Sequence, residues 1–144
     1  MKKVILITST YNGADYLPAL LDSIFAQTYP NIDLYVRDDG STDSGVSILR
    51  DYQSRTPEGK RMVSLDKPVV TIGKKKEETD VFLGDMSVSR LHARVVTEGD
   101  ICYIEDLNST NGTFKNGLRL QPYERRELEE GDEIRVGRVE LVYR

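Results

Sequence analysis

Val88-Ser89-Arg90-Leu91-His92-Ala93, and after it Ile104-Glu105-Asp106-Leu107-Asn108-Ser109-Thr110-Asn111-Gly112-Thr113-Phe114-Lys115-Asn116-Gly117, are the stretches whose reading decides the fold. Asn116-Gly117 is a two-residue hairpin signal, because the turn it makes needs a positive φ at both central positions. Around it, short apolar runs stop at turn-forming residues. Ser89, Arg90 and His92 therefore stand one loop away from Ser109, Thr110, Asn111 and Gly112 in a segment of short strands. Small hydroxyls, a guanidinium and the Lys74-Lys75-Lys76 run, all on sheet-edge loops, suit binding of a phosphate on an extended peptide. They do not suit bond-breaking chemistry. Ser89 and His92 as nucleophile and base would need an oriented carboxylate partner, and none is evident.

Outward from this core, the same texture continues in both directions. Arg61–Leu65, Val69–Ile72, Val81–Leu83, His92–Val96, Ile101–Glu105, Thr113–Lys115, Glu133–Val136 and Val139–Tyr143 read as short strands, with turns at Glu98-Gly99-Asp100 and Gly131-Asp132. Many short strands at regular spacing predict a β-sandwich. Upstream, Pro57 and Gly59 lie in a polar stretch, Ser54–Lys60, that reads as a linker or hairpin loop.

Before that linker the pattern is α/β. Val4–Ile7 is a short apolar strand. Leu17, Leu20, Leu21, Ile24 and Phe25 recur at helical spacing, with Pro18 acceptable only in the first turn. Ile32, Leu34 and Val36 alternate with Asp33 and Tyr35 as in a strand. A second helix follows, capped by Asp43 or Ser44, with Ile48, Leu49 and Tyr52 inward.

Composition narrows the classes. A formal net charge of -4 gives no reason to expect nucleic-acid binding. Cys102 is the single cysteine, so an internal disulfide is excluded and a reducing, cytoplasmic setting is expected. The apolar run after Met1 is too short for a signal peptide, and no stretch approaches a membrane span. Asn108-Ser109-Thr110 and Asn111-Gly112-Thr113 match the glycosylation tripeptide but read as turn chemistry. No metal site and no cofactor are expected.

Gly73, Ser89-Arg90-Leu91-His92, Ser109-Thr110-Asn111-Gly112-Thr113, Gly131-Asp132 and Gly137 together resemble a forkhead-associated (FHA) domain over residues 57–144. The resemblance implies a twisted β-sandwich that binds phosphothreonine through loops at one end. It implies that Ser89 and Thr110 contact the phosphothreonine, that Asn111 holds the peptide backbone, and that Arg90 makes a forked contact to phosphate or to a flanking acid. His92, with Gly73 and Gly112, implies structural support. Where the family usually has Arg, this chain has Lys74, which keeps the charge and loses the planar fork. Competing readings are Lys74 as a solvated loop charge, and a domain that serves only for packing.

Residues 1–56 resemble the start of a family 2 glycosyltransferase of the GT-A fold, carried by Thr10-Tyr11-Asn12-Gly13 and Asp38-Asp39-Gly40-Ser41-Thr42-Asp43. By that resemblance Ser9, Tyr11 and Asp39 would lie against the nucleotide of a sugar donor. The family's later Asp-x-Asp metal motif and its acceptor half are not found, so a working enzyme is not expected. The truncated sheet implies exposed strand edges and self-association. The expectation is thus a mostly β chain: an FHA sandwich at 57–144 preceded by a partial β-α-β-α segment at 1–56, with helix over Ile48–Ser54. Its function is phosphothreonine-peptide binding without catalysis. The alternatives are an inactive nucleotide-sugar-binding fragment and an artificial or truncated fusion.

Overall fold

The computed structural model describes residues 3–38 and 40–144. The chain forms two compact units, Met1–Lys67 and Pro68–Arg144. The sequence places the junction at 56/57; the units part eleven residues later.

In the first unit, β1 (Val4–Thr10), α1 (Leu17–Phe25), β2 (Ile32–Asp38), α2 (Gly45–Ser54) and β3 (Lys60–Leu65) follow in order. β2 is central and parallel to both neighbours, in register Val4↔Ile32 with β1 and Ile32↔Lys60 with β3. The Arg61–Leu65 run was expected in the sandwich; this pairing puts it here and moves the boundary. Every residue of β2 is buried. Asp33 pairs with Lys3 at 3.2 Å. Pro18 sits in the first turn of α1, where its missing N–H costs nothing, and Leu17, Leu21 and Ile24 form the buried stripe. Ser44 holds the N-cap position of α2 without a side-chain cap bond, while Asp43 Oδ1 accepts the Gly45 N–H at 2.8 Å. Residues 48–54 are helical, as expected. Tyr52 joins the helices by donating to Asp22 Oδ1 at 2.7 Å and packing its ring 5.8 Å from that of Phe25.

The second unit is the β-sandwich. One of its sheets runs β10 (Arg125–Glu127), β7 (Ile101–Asp106), β6 (Ala93–Glu98), β4 (Val69–Gly73), β5 (Val81–Phe82). The other carries β12 (Val139–Tyr143), β11 (Glu133–Val136), β8 (Thr113–Lys115) and β9 (Leu118–Arg119). Alternation along each strand supplies the core: Val70 and Ile72, Val95 and Ile104, Ile134 and Val136, and Leu141 are buried. Asn116 and Gly117 turn β8 into β9 with φ of 49° and 84°, the left-handed pair a tight hairpin requires. The loops after β4, before β6 and between β7 and β8 gather at one end of this unit, and they carry the residues singled out above. Among the described residues no helix is long and apolar enough to cross a membrane.

Candidate functional site

The site begins where β4 ends. A Cβ on Gly73 would stand 2.0 Å from the Arg90 carbonyl oxygen, so only glycine lets the two loops touch. The next N–H groups strap that contact: Lys74 donates to Ser89 O at 3.0 Å and Lys75 to Arg90 O at 3.2 Å.

His92 fixes the same loop from inside. Its Nδ1 accepts the Ser89 N–H at 3.0 Å, so the ring proton is on Nε2, which donates to Gly112 O at 2.8 Å. The side chain is fully buried. Burial pushes its pKa below the ordinary imidazole value; the bond to Gly112 and the charge of Asp106 oppose this without reversing it. One ring thus ties the Ser89 loop to the Gly112 loop.

The Asn108–Gly112 loop folds around buried Asp106. Its carboxylate accepts from the Ser109 hydroxyl at 2.5 Å, the Ser109 N–H at 3.2 Å and the Thr113 hydroxyl at 2.7 Å. Ser109 Oγ in turn accepts the Gly112 N–H at 3.1 Å. Asn108 takes a φ of 57° and Gly112 one of 90° to make the turn. The Thr110 N–H donates to Ser89 Oγ at 3.2 Å, which leaves the serine proton free to be donated outward. Asn111 Nδ2 donates to Ser87 O at 2.9 Å, which leaves its Oδ1 as an acceptor facing the loop surface. Ser87 is itself held by Asp85, at 2.6 Å from its hydroxyl.

These contacts enclose a shallow depression of about 330 Å³, and Lys74, Ser89, Arg90, Thr110 and Asn111 all line it. Gly73, His92 and Gly112 lie behind it in the supporting layer. Lys74 and Arg90 make no ion pair with any described carboxylate, whereas adjacent Lys75 is held by Glu78 at 2.8 Å. The depression is therefore lined by two cations without a described ion pair, the hydroxyl-bearing Ser89 and Thr110, and the amide of Asn111. Sequence reasoning missed Asp106 and Ser87, and gave Gly137 as a motif residue without a role. A Cβ on Gly137 would meet Ser87 O at 2.5 Å, so this glycine makes a second close approach beside that of Gly73. The only signal for Asp106 was an acid ending an apolar strand just before Asn-Ser-Thr.

In the first unit the loops after β1 and β2 close on each other. Asn12 Oδ1 accepts the N–H groups of Thr42 at 2.7 Å and Asp43 at 3.3 Å, and its own N–H donates to Ser41 Oγ at 2.9 Å. Asp38 holds Ser41 through its hydroxyl at 2.5 Å and its N–H at 3.0 Å. A cleft of about 540 Å³ lies beside them, bordered by Asp38, Ser41, Arg50 and Asp66. Ser9, within β1, and Tyr11, 56% exposed, are not among its lining residues. Asp39 lies outside the described residues.

Residues 70–137 match the FHA domain model. Residues 70–137 of this chain are an FHA domain. Residues 5–72 match the Glycosyl transferase family 2 model, a span that takes in β3 as the fold does. Protein FraH of Nostoc sp. is 38% identical over 99 residues, which is 67% of this chain and 33% of FraH. Glycogen accumulation regulator GarA of Mycolicibacterium smegmatis is 35% identical over 100 residues, 69% of this chain and 60% of GarA. The chain thus spans between a third and three-fifths of the length of these relatives. Among solved structures, Mycobacterium tuberculosis EmbR in complex with a low-affinity phosphopeptide is similar at 32% identity and a TM-score of 0.50, over 54% of this chain and 20% of EmbR.

Proposed function

We propose that this chain binds phosphothreonine peptides through its FHA domain and acts as a non-catalytic adaptor. The observation that carries the reading is the depression in which Lys74, Ser89, Arg90, Thr110 and Asn111 meet, with both cations free of described carboxylates. A phosphothreonine brings a charge of about -1.5 to -2 and three acceptor oxygens. Ser89 Oγ–H, Thr110 Oγ–H and the Lys74 and Arg90 side chains supply donors to them, and Asn111 Oδ1 accepts a ligand backbone N–H. EmbR, a structure similar over this region, was solved with a phosphopeptide. Lys74 acts as a point charge, so affinity is micromolar, about 8 kcal/mol. Calorimetry with a phosphothreonine peptide and its unphosphorylated twin tests the reading. The phosphorylated peptide binds, its affinity drops by about tenfold or more in Ser89→Ala and Arg90→Ala, and the twin is silent. Equal binding of both peptides, or of neither, defeats it.

A second reading concerns the first unit. The glycosyltransferase-like loops meet through Asn12, Ser41 and Thr42, and a cleft borders Asp38. On this reading the segment holds a nucleotide such as UDP without turning it over, because the sequence has no Asp-x-Asp motif to position a metal. Chemical-shift changes at Ser9 and Tyr11 on adding UDP, lost in Asp39→Ala, are its expected signature.

A further inference from the structure

Asp85 is not among the residues that line the depression, yet its carboxylate holds one that does. Its Oδ1 accepts the Ser87 N–H at 2.8 Å and the Ser87 hydroxyl at 2.6 Å. Arg138, in the turn between β11 and β12, donates to the same oxygen at 3.3 Å through Nη2. The Arg138 backbone N–H reaches Ser87 as well, donating to its Oγ at 2.8 Å. A Cβ on neighbouring Gly137, whose φ is 59°, would stand 2.5 Å from both Ser87 O and Ser87 Oγ. Buried Ser87 is thus pinned from two sides, by its own loop and by the β11–β12 turn.

What the pinning fixes is a carbonyl. Ser87 O accepts from Asn111 Nδ2 at 2.9 Å. A carboxamide carries donors at one corner and an acceptor at the other, whereas a carbonyl oxygen only accepts. Ser87 O therefore selects the Asn111 orientation that turns Oδ1 to the other side. With the Ser87 carbonyl displaced, either corner of the amide would face a ligand. Hydrogen bonds from the Ser87 hydroxyl and N–H, and then from Arg138, hold the Asp85 carboxyl below the usual carboxylate range against the opposing effect of burial. At neutral pH Asp85 is therefore ionised and an acceptor only.

We infer that Asp85 is a positioning residue for peptide binding: through Ser87 it orients the Asn111 amide so that the oxygen, not the nitrogen, meets the ligand backbone. The inference rests on the phosphothreonine reading above and adds a polarity to it. At this point the peptide has to present an N–H rather than a C=O. Asp85 itself touches no ligand and acts only through Ser87 and Asn111. Gly137 and Arg138 share in the hold, so the β11–β12 turn takes part in binding without lining the depression.

The test uses the full chain in calorimetry, with a phosphothreonine peptide and ester analogues of it. In each analogue one backbone amide beside the phosphothreonine becomes an ester, so an N–H is lost and every side chain stays. One analogue binds the unaltered chain about tenfold more weakly than the parent peptide. Asp85→Ala binds the parent about tenfold more weakly and no longer distinguishes it from that analogue. Asp85→Asn, which keeps an oxygen acceptor for Ser87, recovers most of the loss. In an Asn111→Ala background Asp85→Ala costs no more than about a further twofold, because both changes act on one contact. The Asp85 side chain is 36% exposed, so its truncation leaves no sealed cavity, and a melting curve confirms that the variant folds. A second readout is independent of affinity: the Asn111 side-chain amide protons exchange with solvent faster in Asp85→Ala than in the unaltered chain. Full additivity with Asn111→Ala, an ester penalty that persists in Asp85→Ala, or unchanged amide exchange overturns the inference. If the parent binds and no ester analogue is weaker, this inference alone falls. If the parent does not bind the unaltered chain, the phosphothreonine reading has failed and this one falls with it.

Discussion

Gly73 shows how little freedom the site leaves at the scale of one residue. Its constraint is contact with a carbonyl oxygen, which cannot rotate away as a side chain could. Gly73→Ala must separate the end of β4 from Arg90 and break the bonds from Lys74 and Lys75. We expect a loss of about 3 kcal/mol in urea unfolding, with peptide affinity falling alongside. An unchanged unfolding midpoint would contradict the packing described. Gly73 and His92 were legible as supporting residues in the sequence, because they resemble positions of a known motif. Asp106 was not. An acid at a strand end reads as a solvated charge, and its role appears only when Ser109 and Thr113 turn back onto it from later in the chain.

Strands behave differently from residues. The run Arg61–Leu65 reads the same whether it belongs to a sandwich or to a parallel α/β sheet, since both need a short half-buried strand. What decides is pairing with β2, a partner distant in sequence, and no local pattern encodes that choice. The helix over residues 48–54 was legible because its apolar spacing is local. Strand pairing also builds a charge cluster the sequence hides. Glu105 on β7 lies opposite Arg94 on β6 and Arg125 on β10, with contacts of 2.5 and 2.8 Å. Burial pushes the Glu105 carboxyl up, but hydrogen bonds from Arg125 and Arg94 outweigh it and hold the group below the usual carboxylate range. Glu105→Ala leaves two arginines facing each other across the strand. Both reach solvent, so the loss is about 1–3 kcal/mol rather than that of a sealed pair, read as a lower midpoint in thermal or urea unfolding.

Over the whole molecule these groups set a direction for acid stability. The folded state holds His92 neutral with a depressed pKa, while the unfolded chain titrates near the ordinary 6.5. Between those values the unfolded chain binds more protons. The His92 contribution is therefore intact above about pH 6.5 and is lost as pH falls through the lower folded value. Asp132 is also held down: burial raises it, but the Glu129 N–H, Asn116 and Lys115 outweigh that. Its contribution and that of Glu105 are intact above the ordinary carboxylate values of 3.8 and 4.5 and are lost as pH falls below them. The melting temperature should fall in two stages on acidification, the first of them absent in His92→Asn. A melting temperature that is flat between about pH 5 and 7 would rule out the buried neutral ring.

His92 is the single histidine of the chain, and its ring proton is sealed from water between the Ser89 and Gly112 loops. In a magnetic resonance spectrum that proton gives one slowly exchanging imidazole line with nothing of its kind to overlap it. Because the Ser89 and Gly112 loops share this one ring, a guest that moves either of them shifts that line. The protein therefore carries a built-in occupancy gauge that needs no label.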